Sequence, residues 1–300
     1  MTTATTFDEQ MERVTAGERL SDAAISQLAA AADILPLGML ADAVRRRLHG
    51  TQVTYLRVAD CAFDQSFADA VLPAAREVRI TGNPETLAIA LTAVESARAV
   101  AGDRTVSGFS WPDIERLSGA DGASVSNMLE RLRAAGLDAL AEVPMDRAVD
   151  LASVLERLTA AGYRQLRLTI ENAPAAERTA LLLEAAELQE RHACIETINP
   201  LPTRLAAFRP STGYEDVKMV AVARLAAPNI SMVQVDWRRY GPKLAQVALT
   251  FGADDLDGVP SSDEAPEGRR RAPLEELRRN IEAAGFSPAE RDGTFNVINL

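Results

Sequence analysis

Short runs of β-prone residues alternate with longer helical segments over most of this chain, and this alternation constrains the fold more than any other feature. The runs follow Gly50 and begin at Val53, Glu77, Thr105, Ala139, Gln165, Cys194 and Met232, with a weak eighth near Asp255. Strands separated by helices form parallel sheets, because each helix carries the chain back to the end of the sheet where the strand began. Eight such units predict an α/β fold, a (β/α)8 TIM barrel or a partial barrel.

An open, doubly wound sheet is the alternative arrangement of the same strands and helices. Nucleotide-binding sheets of that kind carry a G-x-G-x-x-G or Walker loop directly after a strand. No such loop follows any of the eight runs in the sequence. The barrel is therefore the favoured prediction.

The chain divides into three stretches that we expect to pack as one compact domain. Residues 1–50 form a predicted N-terminal helical segment, in which Thr6 and Glu9 have the spacing of a capping box and Gly50 ends the last helix. Residues 51–258 form the predicted barrel. Residues 259–300 begin as a loop rich in proline, glycine and charge, and continue as a closing helix and a tail.

Charge and hydropathy exclude two classes of partner. The net charge is −11, and an acidic protein repels the phosphate backbone of nucleic acids. No apolar stretch approaches the ~18 residues that a membrane span needs. The N-terminal residues lack the basic and apolar regions of a signal peptide. We therefore expect a soluble, cytoplasmic protein with neither nucleic acid nor membrane as partner.

Cysteine and histidine are too few and too scattered for a disulfide framework or a zinc site. The chain has two cysteines, Cys61 and Cys194, and two histidines, His49 and His192, at unrelated spacings. Structural zinc sites need four such ligands at regular spacing, and disulfide-rich domains need more cysteines. We predict no metal site and a reducing compartment.

Polar residues that follow the predicted strands are the candidate site residues, because chemistry in such barrels takes place at the C-terminal ends of the strands. Glu142 after the fourth run and Asp113 after the third are candidates for acid/base catalysis. Asn83 and Asn199 follow the second and sixth runs and are candidate ligand contacts. Trp237 follows the seventh run, where it either stacks on a ligand ring or packs beneath a loop.

Three carboxylates lie close together near the eighth run, in the segment "GADDLDG". Asp254, Asp255 and Asp257 have two interpretations. In the first they contact ligand hydroxyl groups at the barrel mouth. In the second they cap a helix or a turn, since aspartate before glycine is common in turns.

Several segments of the chain resemble aminodeoxyfutalosine synthase, a radical S-adenosylmethionine (SAM) enzyme of the futalosine route to menaquinone. The segments that carry the resemblance are "LPLGMLADAVRRRLHG", "EDVKMVAVARLAAPNI", "WRRYGPKLAQVALTFGADDLDG" and "LEELRRNIEAAGFSPAERD". Dehypoxanthine futalosine cyclase and the deazaflavin-cofactor synthases share weaker forms of these segments. The resemblance covers most of the chain and implies the barrel of radical SAM enzymes.

The resemblance breaks where the family holds its cofactor. Radical SAM enzymes of this kind carry a CxxxCxxC loop after the first strand, and its three thiolates hold a [4Fe–4S] cluster. This chain has Cys61 alone at that place, and Cys194 belongs to another run. We therefore expect no [4Fe–4S] cluster, and no cleavage of SAM by this chain alone.

Two functional hypotheses follow from a retained frame without the cluster motif. The first is a pseudoenzyme, a non-catalytic partner or ligand-binding protein of menaquinone biosynthesis. It would bind a small nucleoside-like ligand, and a pathway enzyme or a second copy of itself. The alternative is an enzyme with cluster-independent acid/base chemistry on a nucleoside-like or chorismate-derived molecule. Whether the chain is an enzyme is left open between these two.

Overall fold

Three helices precede the first strand. The computed structural model describes residues 6–122, 124–202, 213–265 and 271–298. Helix α1 (Phe7–Ala16) begins with a capping box: the Thr6 hydroxyl accepts from Glu9 N, and the Glu9 carboxylate accepts from Thr6 N at 2.8 Å. Helices α2 (Asp22–Ala30) and α3 (Leu35–His49) follow. Helix α10, described below, packs against both, so this segment belongs to the same core as the barrel.

Eight parallel strands close into a barrel. They are β1 (Gln52–Ala62), β2 (Glu77–Thr81), β3 (Thr105–Ser110), β4 (Ala139–Pro144), β5 (Leu166–Thr169), β6 (Ile195–Asn199), β7 (Met232–Asp236) and β8 (Asp255–Pro260). Each strand pairs with the next, and β8 pairs with β1. The predicted barrel is confirmed. It is closed rather than partial, and its last strand continues to residue 260, beyond the predicted limit of 258.

Helices connect the strands on the outside of the barrel. They are α4 (Phe67–Ala70), α5 (Leu87–Ala101), α6 (Trp111–Asp121), α7 (Val125–Ala135), α8 (Leu151–Ala160), α9 (Ala175–His192), α10 (Tyr214–Ala226), α11 (Trp237–Leu249) and α12 (Pro273–Ala283), with a 3-10 turn at Met145–Arg147. The crossover from β1 to β2 contains only the four-residue helix α4. No described helix has both the length and the apolar character to cross a bilayer.

A ninth strand and the residues after it close the floor of the barrel, at the N-terminal ends of the strands. Strand β9 (Ser287–Glu290) pairs with the first half of β1, whereas β2 pairs with its second half. Arg291 follows β9 and is fully buried. Its guanidinium donates to both carboxylate oxygens of Asp255, at 2.6 and 2.7 Å. The C-terminal segment therefore supplies a cation to the barrel interior.

Ion pairs occupy much of the barrel interior. Glu77 is fully buried and accepts hydrogen bonds from Arg167 at 2.6 and 2.9 Å. It also accepts from Arg79, at 2.6 Å, and from the Ser107 hydroxyl. Arg79 donates in addition to both oxygens of Asp257, at 2.9 and 3.0 Å. Buried charges are tolerated when paired and hydrogen-bonded in this way. The interior network thus extends from the floor of the barrel toward the C-terminal ends of the strands.

Candidate functional site

A pocket of about 370 Å³ opens at the C-terminal ends of the strands. We call it the mouth pocket. It is lined by Asp60, Arg79, Ile80, Thr81, Gly82, Asn83, Phe109, Ser110, Asp113, Ala141, Glu142, Glu171, Asp236, Arg238, Arg239 and Gly258. These residues come from seven strands or from the loops and helices that follow them. A concave site with convergent charged groups at this end of a barrel is the expected place for ligand binding.

Arg79 forms the floor of the mouth pocket, and Asp257 pairs with it from below. Burial alone would raise the pKa of Asp257, but the guanidinium of Arg79 outweighs it, so that this pKa is lowered. Glu77 behaves in the same way: Arg167 and Arg79 overcome the effect of burial and lower its pKa. Both carboxylates therefore stay ionised near neutral pH and hold Arg79 in place.

Two ion pairs cross the rim of the mouth pocket. Arg238 and Arg239 lie on the first turn of α11, and they reach in different directions. The Arg238 guanidinium pairs with Asp60 at the end of β1, whereas Arg239 pairs with Glu142 on β4 at 2.5 Å. Asp236 caps the same turn, since its Oδ1 accepts from the backbone N–H groups of Arg238 and Arg239 at 2.9 and 2.8 Å.

Asp236 is the acid in this pocket whose pKa is displaced upward. Burial raises the pKa of Asp236, and repulsion from Asp257 adds to the effect. The Arg239 Nε lies 3.8 Å from its Oδ2. Arg239 therefore touches two carboxylates, those of Glu142 and Asp236. The arrangement places two carboxylates, of which Asp236 has a raised pKa, beside a single guanidinium.

Three of the predicted site residues line the mouth pocket. Glu142 and Asn83 face it as the strand positions suggested. Asp113 also lines it, but its Oδ2 accepts from Ser110 N at 2.9 Å and from Ser110 Oγ at 2.7 Å. The bond from Ser110 N, together with the bond from Asp113 N to Ser110 Oγ at 3.4 Å, forms the capping box of α6. The role of Asp113 visible in the structure is therefore to begin a helix, which leaves Glu142 as the stronger candidate of the two.

Trp237 and Asn199 lie at the expected strand ends, but outside the lining of the mouth pocket. Trp237 begins α11 and packs in the hydrophobic core, which is the second of its two sequence interpretations. Asn199 ends β6 and is buried, and its Oδ1 has no hydrogen-bond partner among the described residues. Thr169, its register partner on β5, likewise has a buried hydroxyl without a described partner.

The three neighbouring aspartates do not form one cluster at the mouth, which corrects the first interpretation of "GADDLDG". Asp254 precedes β8, at the floor end, and pairs with Arg224 and with His49. Asp255 faces the interior and pairs with Arg291, and Asp257 pairs with Arg79 below the mouth pocket. Alternation along the strand places Asp255 and Asp257 on the interior face, two residues apart, whereas Asp254 precedes the strand and faces the other way. Each carboxylate has its own cation, which resolves their mutual repulsion.

Sequence reasoning missed the four charged residues that, with Glu142, dominate the mouth pocket: Asp60, Arg79, Arg238 and Arg239. The sequence did indicate Arg238 and Arg239, because they come directly after the Asp-Trp pair that follows the seventh run. Arg79 lies inside a β-prone run, where a single arginine is easily read as solvent-facing. Only closure of the barrel shows that it points inward.

The cysteines do not fit the cluster of the resembled family. Cys61 is near the mouth end of β1, whereas Cys194 directly precedes β6 at the floor end. Both thiols are buried and free, and burial raises the pKa of each. No group of three or more His, Cys, Asp or Glu side chains suited to a metal ion occurs among the described residues. A three-thiolate site cannot be assembled from this donor set.

A larger groove of about 680 Å³ lies beside the mouth, between the loops after β4 and β5. Its central acid, Asp146, accepts from the backbone N–H groups of Glu171, Asn172 and Ala173 at 2.6–2.9 Å. The Asp146 carboxylate therefore fixes the backbone of the loop after β5. The mouth pocket, with several convergent charges, remains the better candidate site.

The chain is similar to known proteins in its C-terminal third and, more distantly, along its whole length. Residues 199–300 match the family model described as the CofH/MqnC C-terminal region. The aminodeoxyfutalosine synthase of Thermus thermophilus is 25% identical over 96% of this chain and 95% of its own length. A 5-amino-6-(D-ribitylamino)uracil--L-tyrosine 4-hydroxyphenyl transferase of Archaeoglobus fulgidus is 36% identical over 39% of this chain. The match covers only 38% of that transferase's own length.

Solved structures agree on the fold. The FeFe-hydrogenase maturase HydG of Carboxydothermus hydrogenoformans superposes with a TM-score of 0.65 at 12% identity, over 94% of this chain and 79% of its own. Methylornithine synthase (PylB) gives 0.61 at 14% identity, over 93% and 97%. At these identities the likeness concerns the fold alone.

Proposed function

We propose that this chain, which is homologous to aminodeoxyfutalosine synthase and to the radical SAM family, is a ligand-binding barrel of menaquinone biosynthesis. In this proposal it is a pseudoenzyme that does not carry out radical SAM chemistry by itself. The observation that carries the proposal is a charged pocket at the ligand-binding end of a barrel that lacks a three-thiolate set.

The donor set supports the part of the proposal that concerns the cofactor. A [4Fe–4S] cluster in radical SAM enzymes needs three cysteine thiolates close together. The 300 residues contain two cysteines, at opposite ends of parallel strands. Both are buried in the hydrophobic core and face no third cysteine, so two thiols are one short of the ligand set. The proposal accordingly includes neither the cluster nor cleavage of SAM.

The relatives support the link to a pathway. The relative that this chain matches along nearly all of its length is named aminodeoxyfutalosine synthase. We infer that the ligand of this chain is a small nucleoside-like molecule of the same pathway. A pathway enzyme or a second copy of the chain is the proposed partner. The proposal places the protein in the cytoplasm, where its two free cysteines would remain reduced.

Calorimetric titration with aminodeoxyfutalosine and with adenosine tests the proposal. We expect saturable binding of at least one of the two, and binding weakened by Gly258→Leu, which places a bulky side chain in the mouth pocket. A leucine variant of Gly122, which also has a positive φ and whose surroundings are open, is the matched control. The absence of binding to both compounds, together with no co-purification with aminodeoxyfutalosine synthase, would refute the proposal.

An acid/base enzyme is the second candidate, and the carboxylates around Arg239 favour it. Glu142 and Asp236 both line the mouth pocket and both contact this guanidinium. Burial raises the pKa of Asp236 above the ordinary aspartate value, which is the direction that suits a group that gives and takes a proton. If this candidate is right, mass spectrometry will show conversion of the bound nucleoside, and Glu142→Gln or Asp236→Asn will stop it. Unchanged nucleoside after prolonged incubation would exclude it.

A further inference from the structure

The first turn of α11 presents two arginines to the mouth pocket on a rigid backbone. Trp237 and Tyr240, on the same turn, are buried, and Tyr240 Oη donates to Pro200 O at 2.6 Å. Gly241 leaves the helical conformation at φ 73° and ends the turn. Asp236 caps its start. The backbone of Arg238 and Arg239 is therefore held at both ends, while their side chains remain 44% and 40% exposed.

The cations of the mouth pocket fall into two kinds. Arg79 is only 12% exposed and is held by the buried carboxylates of Glu77 and Asp257. Removing it from either partner would leave a buried charge without compensation. Arg238 and Arg239 instead pair with carboxylates that are themselves 22% exposed. Pairs exposed to water contribute little to stability, so they exchange partners readily.

We propose that Arg238 and Arg239 bind the carboxylate of a small organic monoanion, which displaces the carboxylates of Asp60 and Glu142 from them. This inference rests on the proposed function, because it assumes that the mouth pocket binds a ligand. A guanidinium and a carboxylate match in geometry and form paired, charge-assisted hydrogen bonds. The displaced Glu142 carboxylate then accepts a hydrogen bond from an N–H or O–H group of the same ligand.

The surrounding acids select a single negative charge. Asp236 and Asp257 lie below the arginine turn, and Asp113 and Glu171 lie along the rim. A phosphate monoester with nearly two charges would be repelled by these groups and by a protein of net charge −11. Compared with a phosphate monoester, a single carboxylate is repelled less by these acids and can still bind both arginines. A volume of about 370 Å³ lies at the small end of the range for ligand pockets, which fits a small molecule.

Three probes of the same shape separate carboxylate from phosphate and from neutral binding. Cyclohexanecarboxylate, cyclohexanecarboxamide and cyclohexyl phosphate are titrated into the full chain and followed by ligand-observed NMR. We expect the carboxylate to bind about tenfold more tightly than the amide, since hydrogen bonds between charged groups are the stronger ones. We expect it to bind about tenfold more tightly than the phosphate as well, because the surrounding acids repel the second charge. Equal binding of the amide, or tighter binding of the phosphate, would overturn the inference.

Four variants test the exchange itself. Arg238→Gln and Arg239→Gln should each weaken binding of cyclohexanecarboxylate about tenfold. This probe has no N–H or O–H group that could donate to Glu142, so Asp60→Asn and Glu142→Gln should leave its binding equal or make it tighter, because they remove the competing acid. A structural role for the ion pairs would instead make all four variants weaker. Arg279→Gln, at an exposed arginine of α12, is the control, and circular dichroism verifies that each variant is folded.

The same titrations distinguish failure of this inference from failure of the proposed function. If adenosine binds to the mouth pocket but the carboxylate binds equally well without Arg238 and Arg239, the inference is wrong and the proposed function stands. If neither adenosine, aminodeoxyfutalosine nor the carboxylate binds, both are wrong.

Discussion

Replacing Arg291 with methionine tests whether the C-terminal segment holds the barrel together through its buried charge. Arg291 and Asp255 are both fully buried, and two hydrogen bonds of 2.6 and 2.7 Å join them. Removing one partner of such a pair leaves the other charge buried, at a cost of about 3–5 kcal/mol. The Arg291 guanidinium also lies over the ring of Phe295 at 4.2 Å, so the variant loses that contact as well.

Urea unfolding at pH 7, followed by circular dichroism, measures this loss. The double variant Arg291→Met with Asp255→Asn should recover much of it, because no charge is then left alone. Arg13→Gln, at an exposed pair with Glu18, should cost less than about 1 kcal/mol. A loss below about 1 kcal/mol for Arg291→Met, or no recovery in the double variant, would refute the reasoning.

Three further predictions concern acid stability, close packing and thiol reactivity. The lowered pKa of Asp257 means that this group stabilises the folded chain above about pH 4, and that this stabilisation is lost as the pH falls further. In Asp257→Asn the free energy of unfolding should therefore fall less steeply with decreasing pH below about pH 4. An unchanged pH dependence would contradict this. Gly293→Ala should lower the free energy of unfolding by about 1–3 kcal/mol in urea, because the added Cβ would lie 2.5 Å from Thr105. Gly119→Ala, in a helix with open surroundings, should instead raise it by up to about 1 kcal/mol. Cys61 and Cys194 are buried and should react with a thiol reagent at least tenfold more slowly in the native chain than in urea, roughly as expected for protonated thiols; equal rates would show that they are accessible.

The barrel could be predicted because its signal is local. Each strand and each helix has its own hydrophobic period, and the order of strands and helices restricts the topology to a few arrangements. The capping box at Thr6 depends on residues three positions apart, so it could be predicted as well. The ninth strand could not, because "SPAE" contains a proline and no β-branched residue. Its pairing is supplied by the half of β1 that β2 leaves free.

The site was harder to predict because its partners are distant in sequence. Asp254, Asp255 and Asp257 are neighbours, yet their arginine partners lie 30, 36 and 178 positions away. Nothing within "GADDLDG" indicates which carboxylate faces which cation. Glu142 could be proposed from its place at a strand end, whereas its contact with Arg239 spans 97 positions. Individual residues were thus predictable from strand position, but the charge pairing that defines the pocket was not.

Anaerobic reconstitution with iron and sulfide tests the central claim most directly, namely that this barrel has kept its shape without the radical SAM cofactor. The purified chain and an authentic aminodeoxyfutalosine synthase are treated in parallel, and iron content is measured. A reductant and SAM are then added, and release of 5′-deoxyadenosine is quantified. The account predicts that the synthase gains a full [4Fe–4S] cluster and releases 5′-deoxyadenosine, while this chain does neither. About four irons per chain together with cleavage of SAM would contradict it.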